Sequence, residues 1–503
     1  MNRNNRESFR KSVYLAAYTG LFLVMALVIY GVFLKNGRLL VYKDDASKQH
    51  FKAFAYYGQY LRAFFTGLFR DHTLRLPRYS FGLGYGADIL TTLNYYAFGD
   101  PLNLISVFVP LQYAGIAFSV LVVLRTYLAG LSFSVYCFCR EETNPRAILA
   151  GALTYAFCDF MLYGALKHCF FANPMIYLPL ILTGCERIWK KQKPGLFIFM
   201  VAISVISNFY YFYTIVIMTV LYVLFREADL LKERRFKAAG TDVLRFGIYG
   251  ILGTMLGGCT LLPVMLVFLG NPRSGTSVTW ELFYHRKYYE RMVTWFLTNY
   301  LGEYWSRLGY PAIVVLGFFF LLLTRRKYGK LKSGILLLSV FLLLPAFGYA
   351  FNGFSYVSNR WIFAYSLLLA YMVTRLWDDF FRVSWKKAAV MAGMFILYYL
   401  LCMRYATFFG AKRELFFALA AALAACAVMI LAGVKRLVLG HYGYTAGGEL
   451  KIEDFRAAND FYAKLTTSEG DAVKAVGDPD TPYRYSGEVY DGTNGNSTLL
   501  NGT

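Results

Sequence analysis

Two adjacent carboxylates, Asp44 and Asp45, follow the first apolar stretch of the chain, and Gln49 and His50 come about one helical turn later. Glycosyl transfer uses a carboxylate to deprotonate an acceptor hydroxyl or to hold a divalent metal ion near the anomeric carbon. Directly after a membrane helix, such a carboxylate lies at the depth of lipid headgroups. The pair therefore predicts catalysis at the bilayer surface, with Gln49 and His50 as substrate-binding residues. A solvated helix N-cap at Asp45 is the simpler alternative.

A glycine-rich segment follows in the same loop and reads YSFGLGYGADILTTLNYYAFGDP from residue 79 onward. Its three glycines within five positions predict a tight turn or a close backbone approach, and no βαβ pattern surrounds them as in a dinucleotide site. Asp88 is a candidate substrate-binding residue, and Asp100 is a further acid in this segment. The tyrosines suit an interfacial belt, with sugar stacking as the alternative.

Arg360 is the best candidate for a cation that holds a phosphate, because a guanidinium binds phosphate bidentately and this residue lies at the outer end of an apolar stretch. Its neighbour Asn359 is a further candidate ligand in the same SNRW segment. Lys167 and His168, at the outer end of another predicted helix, are second choices. For the cations, snorkelling to the headgroups is the alternative.

The elements that must position these residues are membrane helices. The chain has 503 residues, 57% hydrophobic content and a mean hydropathy of +0.43. Stretches of about 17 to 25 apolar residues, each long enough to cross a bilayer, recur along it. We predict an all-α polytopic bundle of about twelve transmembrane helices in residues 1–433, with large outer loops at 35–110 and 270–308. The predicted helices cover about 12–34, 112–139, 147–165, 174–189, two within 195–225, 243–269, 309–324, 333–350, 361–377, 386–404 and 412–433.

The segment 195–225 needs two crossings because basic clusters flank both of its ends. A single helix of that length would finish on the wrong side of the membrane. Two short helices broken at Ser207–Phe209 satisfy the charge pattern, and a break at bilayer depth is tolerated where it borders a wet cavity.

The net charge of +22 comes from Lys and Arg in short links between the apolar stretches. That distribution is typical of the positive-inside bias, which faces anionic lipid, and it argues against nucleic acid as a partner. The eight cysteines show no CxxC pair and no metal-ligand spacing, so they are interpreted as small buried hydrophobes. Residues 434–503 are polar and predict the start of a soluble segment, which the helix count places inside.

At these residues the chain resembles the YfhO-like bacterial membrane proteins, a branch of the GT-C glycosyltransferases. The resemblance covers about residues 12–400, with a fainter echo near the end. It is carried by a DxxxQH element at Asp45–His50, by the glycine-rich segment and its continuation LNLISVF, and by HCFFANPMIYLPLILTGCERI, ISNFYYFYTI and NGFSYVSNRWIF. One departure is Ala46, where the family has glycine after the acid. Another is residues 434–503, which the family places outside.

The resemblance implies a GT-C-like bundle in the bacterial plasma membrane with its active face extracytoplasmic. It implies an inverting transferase that uses a polyprenyl-phosphate sugar and a cell-envelope acceptor such as teichoic or lipoteichoic acid. Asp45 matches the family's base or metal-binding acid, and Arg360 matches its NRW element. The resemblance identifies no particular cofactor and allows a divalent metal at Asp45. A flippase for a lipid-linked glycan and a non-catalytic envelope assembly factor are the alternatives.

Overall fold

The computed structural model describes residues 3–83, 85–96, 98–270, 281–298, 302–324, 327–406, 409–431 and 455–457. Within these ranges the chain is mainly helical, with four short strands. The helices are α1 (Arg3–Lys35), α2 (Phe51–Phe69), α3 (Ile89–Leu93), α4 (Ala114–Cys139), α5 (Pro145–Ala156), α6 (Asp159–Lys167), α7 (Asn173–Trp189), α8 (Gly195–Ser207), α9 (Phe209–Lys232), α10 (Phe236–Leu256), α11 (Gly258–Leu269), α12 (Arg286–Trp295), α13 (Ala312–Leu323), α14 (Gly329–Leu343), α15 (Pro345–Ala350), α16 (Ile362–Phe380), α17 (Trp385–Tyr405) and α18 (Phe409–Leu431). The strands are β1 (Arg38–Tyr42), β2 (Tyr79–Ser80), β3 (Ala87–Asp88) and β4 (Phe455–Ala457).

Six helical spans in the described ranges are long and apolar enough to cross a membrane, and a bent pair adds a seventh if it is counted as one span. The six are Lys11–Lys35, Leu111–Cys139, Pro145–Lys167, Cys169–Trp189, Phe209–Leu230 and Trp385–Tyr405. Apolar side chains of α1 such as Leu23, Val24 and Leu27 are exposed, as on a lipid-facing helix. An all-α multi-pass membrane protein is therefore confirmed, whereas twelve crossings and the GT-C arrangement stay predictions.

The predicted break between α8 and α9 is confirmed at Asn208. Its side-chain oxygen accepts a hydrogen bond from the backbone N–H of Tyr211 (3.0 Å), which caps α9 and makes a new helix start favourable. However, α9 has 24 residues and is not the short helix we expected. The chain therefore crosses from the break to the far side of the bundle in one long helix.

Three helices predicted as continuous are interrupted in the structure. The predicted helix 147–165 divides into α5 and α6 at residues 157–158, and the predicted helix 333–350 divides at Leu344, directly before Pro345. Proline removes a backbone donor and favours the first turn of a new helix. The predicted helix 243–269 bends by 82° between α10 and α11. Apolar composition shows membrane depth but not these interruptions.

The segment between α2 and α4, which the sequence predicts to be outer and which we call the outer segment, is anchored on the break between α8 and α9. Asn94 donates to the backbone oxygen of Ile206 (3.2 Å), and Asn208 donates to the backbone oxygen of Tyr95 (2.7 Å). Gly99 has a φ of +95°, and a Cβ there would lie 2.1 Å from the Ile206 oxygen. The close approach requires glycine at this position.

A fully buried ion pair fixes the same segment to the centre of the bundle. Arg125 of α4 donates to Asp100 (2.7 Å) and Asn103 (2.8 Å), and its Nε donates to Asn173 of α7 (3.0 Å). Asn173 also donates to Asp100 (2.8 Å) and to Ser207 at the end of α8 (3.3 Å). Burying these charges is tolerable because they are paired and hydrogen-bonded. Three helices and the outer segment are thereby held in one arrangement.

Two strand pairs complete the described structure. β2 and β3 form an antiparallel hairpin, with Gly86 in its turn at a φ of +102°. β4 pairs antiparallel with β1, which directly follows α1. Residues 455–457 therefore lie at the same end of the bundle as β1. This disagrees with the helix count, which placed residues 434–503 on the opposite side of the membrane from residues 35–110. Counting apolar stretches failed here because several are interrupted; the rest of 434–503 is outside the described residues.

Candidate functional site

Asp45 directly precedes a short π-helical segment, Ala46–His50, that connects β1 to α2 and ends at His50. Asp45 occupies the N-cap position of this segment, as the alternative reading expected, but its side chain makes no capping hydrogen bond. Its side chain is 27% exposed and accepts a long contact from Gln49 (3.4 Å). π-Helical turns are rare and occur frequently at functional sites.

Asp45 and two histidines form a chain of polar contacts across the bundle. Nε2 of His168 lies 3.6 Å from Oδ2 of Asp45, and Nδ1 of His168 lies 2.7 Å from Nε2 of His50. If His168 directs its Nε2 proton at Asp45, its Nδ1 accepts the proton of His50. Nδ1 of His50 is then a bare acceptor, which agrees with its having no hydrogen-bond partner among the described residues. These polar contacts thus connect the start of α2 to the turn before α7.

Arg360 lies on the same aromatic surface as His168. The His168 ring is 4.6 Å from that of Phe171 and 5.3 Å from that of Trp305. The Arg360 guanidinium carbon is 5.3 Å from each of these two rings. Lys167 adds a second cation, with its Nζ 5.9 Å from the Trp305 ring. The structure therefore brings together the predicted acid, histidine and guanidinium from three distant parts of the chain. We call this group, with its aromatic surface, the Asp45 cleft.

The cations of the Asp45 cleft make no ion pair within the described residues. Arg360 has one long hydrogen bond from Nη1, to the hydroxyl of Tyr95 (3.5 Å), and its buried Nε has no partner there. Lys167 contacts the hydroxyl of Tyr163 (3.4 Å). A buried donor without a partner is costly, and unneutralised cations attract anions. This geometry suits an anionic ligand that accepts several hydrogen bonds.

Burial and neighbouring charges shift the pKa values of the titratable groups in the cleft. Burial raises the pKa of Asp45, the adjacent Asp44 raises it further, and Lys167 and Arg360 lower it in part. Burial lowers the pKa of His50 to about 3 and that of His168 well below its usual range. Both histidines are therefore neutral near pH 7. Asp45 is a stronger base than an ordinary aspartate.

The other predicted site residues lie apart from these contacts. Asp44 is half exposed and pairs with Lys48 (2.8 Å). Asp88 caps α3 by accepting from the backbone N–H of Thr91 (2.8 Å). Asn359 is fully buried, and its side chain is hydrogen-bonded to Tyr284, Tyr288, Ser306 and Trp361 in the protein core. These placements indicate structural roles for Asp88 and Asn359.

Several residues of the cleft were missed by sequence reasoning. Trp305 comes from the second outer loop, and Tyr210 from the first turn of α9, where its ring lies 5.5 Å from the Arg360 guanidinium. Phe171 and Tyr210 belong to aromatic runs that carry the family resemblance, and this was the usable signal. Nothing in the local sequence distinguishes Trp305 from an interfacial tryptophan.

The donor set gives little support for a divalent metal at Asp45. Within the described ranges, no three His, Cys, Asp or Glu side chains converge as metal ligands. Mg²⁺ and Ca²⁺ prefer several oxygen ligands, whereas Asp45 has His168 on one side and Asp44 is held by Lys48. The described residues do not fit such an ion, and no chemical step is assigned to one here.

The fold and the cleft define a multi-pass membrane protein with a charged, aromatic site at one end of its bundle. The chain belongs to the family described as bacterial membrane protein YfhO, whose family model matches residues 19–443. It is 27% identical over 235 residues to the "Uncharacterized protein YfhO" of Bacillus subtilis (strain 168). That alignment covers 46% of this chain and 25% of the relative, so the chain spans about a quarter of the relative's length. No solved structure matches the chain.

Proposed function

We propose that the chain is a membrane glycosyltransferase that moves a sugar from a polyprenyl-phosphate donor to an extracytoplasmic cell-envelope acceptor, such as teichoic or lipoteichoic acid. The observation that carries this proposal is the position of Asp45 beside two cations, Arg360 and Lys167, that have no ion-pair partner among the described residues. An anionic donor and a basic carboxylate are the two requirements of this reaction.

The donor phosphate accepts hydrogen bonds from Arg360, whose buried Nε and terminal nitrogens form a fork that matches two phosphate oxygens. Lys167 supplies a second positive charge on the same aromatic surface. The rings of Phe171 and Trp305 offer apolar faces against which a sugar can pack. The polyprenyl chain then extends into the bilayer beside the helices.

Asp45 removes the proton from the acceptor hydroxyl as that oxygen attacks the anomeric carbon. The new carbon–oxygen bond forms on the face opposite the phosphate, while the bond from the anomeric carbon to the phosphate oxygen breaks. The configuration therefore inverts. The lipid phosphate leaves with an additional negative charge, which Arg360 and Lys167 stabilise. His168 and His50, both neutral, hold the carboxylate in position.

The test is sugar transfer in proteoliposomes that contain a panel of radiolabelled polyprenyl-phosphate sugars and an envelope acceptor extract. Asp45→Asn keeps the shape of the side chain but removes the base, so we expect transfer to fall by about 10²- to 10⁴-fold. Asp44→Asn is the matched neighbouring change, and we expect a much smaller loss because that carboxylate pairs with Lys48 at the surface.

Three outcomes would contradict the proposal or its assignment of the base. Transfer by Asp45→Asn at the wild-type rate rejects Asp45 as the base. Movement of labelled lipid between leaflets without sugar transfer, in folded wild-type protein, would indicate a flippase. If the folded protein shows neither activity, a non-catalytic assembly role is favoured.

A further inference from the structure

A second cavity of about 580 Å³ extends from the middle of the bundle to the end opposite the Asp45 cleft, where its basic mouth lies. Four helices fix this placement: α4, α7, α9 and α16. Each has its N-terminal end near the outer segment or the cleft. The cavity lining follows farther along each helix, and on α16 it runs from Ala364, about one turn after Arg360, to Arg375. On α16, Arg360 directly precedes the helix, whereas Arg375 lines the cavity. Fifteen positions at about 1.5 Å each separate the two by roughly 22 Å.

The cavity has an apolar interior. Its inner wall is formed by leucine and methionine side chains of four helices: Leu178 and Leu182 of α7, Met218 of α9, Leu338 of α14 and Leu367 of α16. The volume lies in the range of about 300 to 1,000 Å³ that is typical of small-molecule sites. An interior of this composition suits a hydrocarbon chain and not a hydrated solute.

The mouth of the cavity is cationic and rich in tyrosine. Five basic residues line it: Arg140, Arg226, Lys327, Lys330 and Arg375. They also lie in or beside the basic links that the positive-inside rule assigns to the cytoplasmic side. The phosphate of an inner-leaflet lipid would be at this depth.

The basic residues of the mouth outnumber the carboxylates that pair with them. Those carboxylates are Glu142, Glu186, Asp229 and Asp379. Arg375 meets both oxygens of Glu142 through Nη1 alone, at 2.9 and 3.1 Å. A guanidinium has five N–H donors, so further donors remain for a phosphate.

We propose that this cavity binds an anionic phospholipid of the cytoplasmic leaflet. One acyl chain occupies the leucine-lined interior, and the headgroup phosphate lies at the mouth, where Arg140 and Arg375 donate to it. The site is independent of sugar transfer, since it uses none of the residues of the Asp45 cleft. The cavity would recognise its ligand by the combination of one negative charge and a long apolar chain.

Gly334 gives a test that leaves every charge in place. It lines the cavity, and a Cβ added there would meet only Leu368 and Phe225 at 3.6 to 4.0 Å, which is ordinary contact. The first atom of the side chain in Gly334→Leu is therefore accommodated, and the remaining atoms extend toward Leu368 and Phe225, which line the cavity. Gly247→Leu on α10 is the matched control, because a Cβ there meets nothing within 4 Å. Leucine favours helix more than glycine does, so neither change should weaken its helix.

The measurement is native mass spectrometry of the full chain titrated with dioleoyl-phosphatidylglycerol or dioleoyl-phosphatidylcholine. We expect the anionic lipid to bind at least about tenfold more tightly than the zwitterionic one. Gly334→Leu should weaken it by about tenfold, as expected if roughly two methylene groups lose their contacts. Gly247→Leu should bind as the wild type does. Arg375→Gln should weaken the anionic lipid selectively, whereas Arg382→Gln outside the cavity should not.

Three results would overturn the proposal. Equal binding of the two lipids shows that the mouth does not select an anionic headgroup. Unchanged binding by Gly334→Leu shows that the lipid lies elsewhere on the protein. Displacement of the anionic lipid by millimolar inorganic phosphate, with equal effect in both glycine variants, would identify a free anion as the ligand.

Discussion

Replacing Arg360 tests the donor-binding half of the proposed site without requiring catalysis. Its guanidinium lies 5.3 to 5.7 Å from the rings of Phe171, Trp305, Tyr210 and Tyr356. These rings hold the planar group in one orientation. Arg360→Lys retains the charge but loses the fork, and Arg360→Ala loses both.

The structure allows the two losses to be ranked. A hydrogen bond to a charged group is worth about 1.5 to 3 kcal/mol. Arg360→Lys keeps one such bond to the phosphate and should weaken donor binding by about 1.5 kcal/mol, or roughly tenfold. Arg360→Ala loses two and should weaken it by about 3 kcal/mol, or roughly 150-fold. The contacts with the aromatic rings exist with and without donor, so their loss affects folding more than binding.

The assay is equilibrium binding of a polyprenyl phosphate, the proposed leaving group, to protein in nanodiscs. Arg75→Ala, which replaces an exposed arginine between α2 and β2, is the matched control and should leave binding unchanged. Thermal unfolding of each variant separates lost affinity from lost fold. Equal affinities of the Lys variant and the wild type would refute bidentate binding. Wild-type affinity in Arg360→Ala would refute any role of this residue as a phosphate ligand.

Three further predictions concern pH, the buried ion pair and the anchoring turn. Asp45 must be ionised to act as the base, and its pKa is raised, so kcat/KM should fall as the pH drops through a value above the pKa of an ordinary aspartate. No second change in kcat/KM is expected near pH 6.5, because burial keeps His168 neutral. A change there would show that a histidine titrates in function. Asp100→Asn leaves the buried Arg125 charge unpaired and should lower the unfolding free energy by about 3 to 5 kcal/mol in detergent thermal unfolding; a wild-type transition would contradict this. Gly99→Ala should destabilise by more than about 1 kcal/mol, because a Cβ meets a backbone oxygen of α8; equal stability would show that the segment shifts freely.

The residues of the Asp45 cleft were partly predictable because chemistry restricts them. Asp45 and Arg360 were identified as charges at the ends of apolar stretches, where charge is rare and carries functional meaning. Their proximity followed from placing both at the outer side. The site roles of these residues stay predictions, although the structure brings the side chains together. By contrast, Asp88 had the same sequence appearance and proved to be a helix cap.

The interruptions of helices and the pairing of β4 with β1 could not be read from the sequence. The interruption at 157–158 occurs without a local proline or glycine. The backbone N–H of Asp159 donates there to the oxygen of Gly309 (2.9 Å), a residue distant in sequence. Strand pairing across more than 400 positions depends on the closed bundle, and three residues of β4 carry no alternation that predicts it. The helix count, and with it the expected side of the C-terminal part, depended on these features.

The π-helical segment before α2 lets the side chain of Asp45 take a direction that is independent of the direction of the side chains on α2. A π turn contains about one residue more than an α turn, so deleting one residue within 46–50 would restore regular winding. Each residue of an α-helix turns the chain by about 100°. After such a deletion, either His50 leaves His168 or the whole of α2 loses its packing against residues 101–107. The extra residue therefore rotates the start of the segment relative to α2. This rotation allows His50 to contact His168 while α2 packs against residues 101–107.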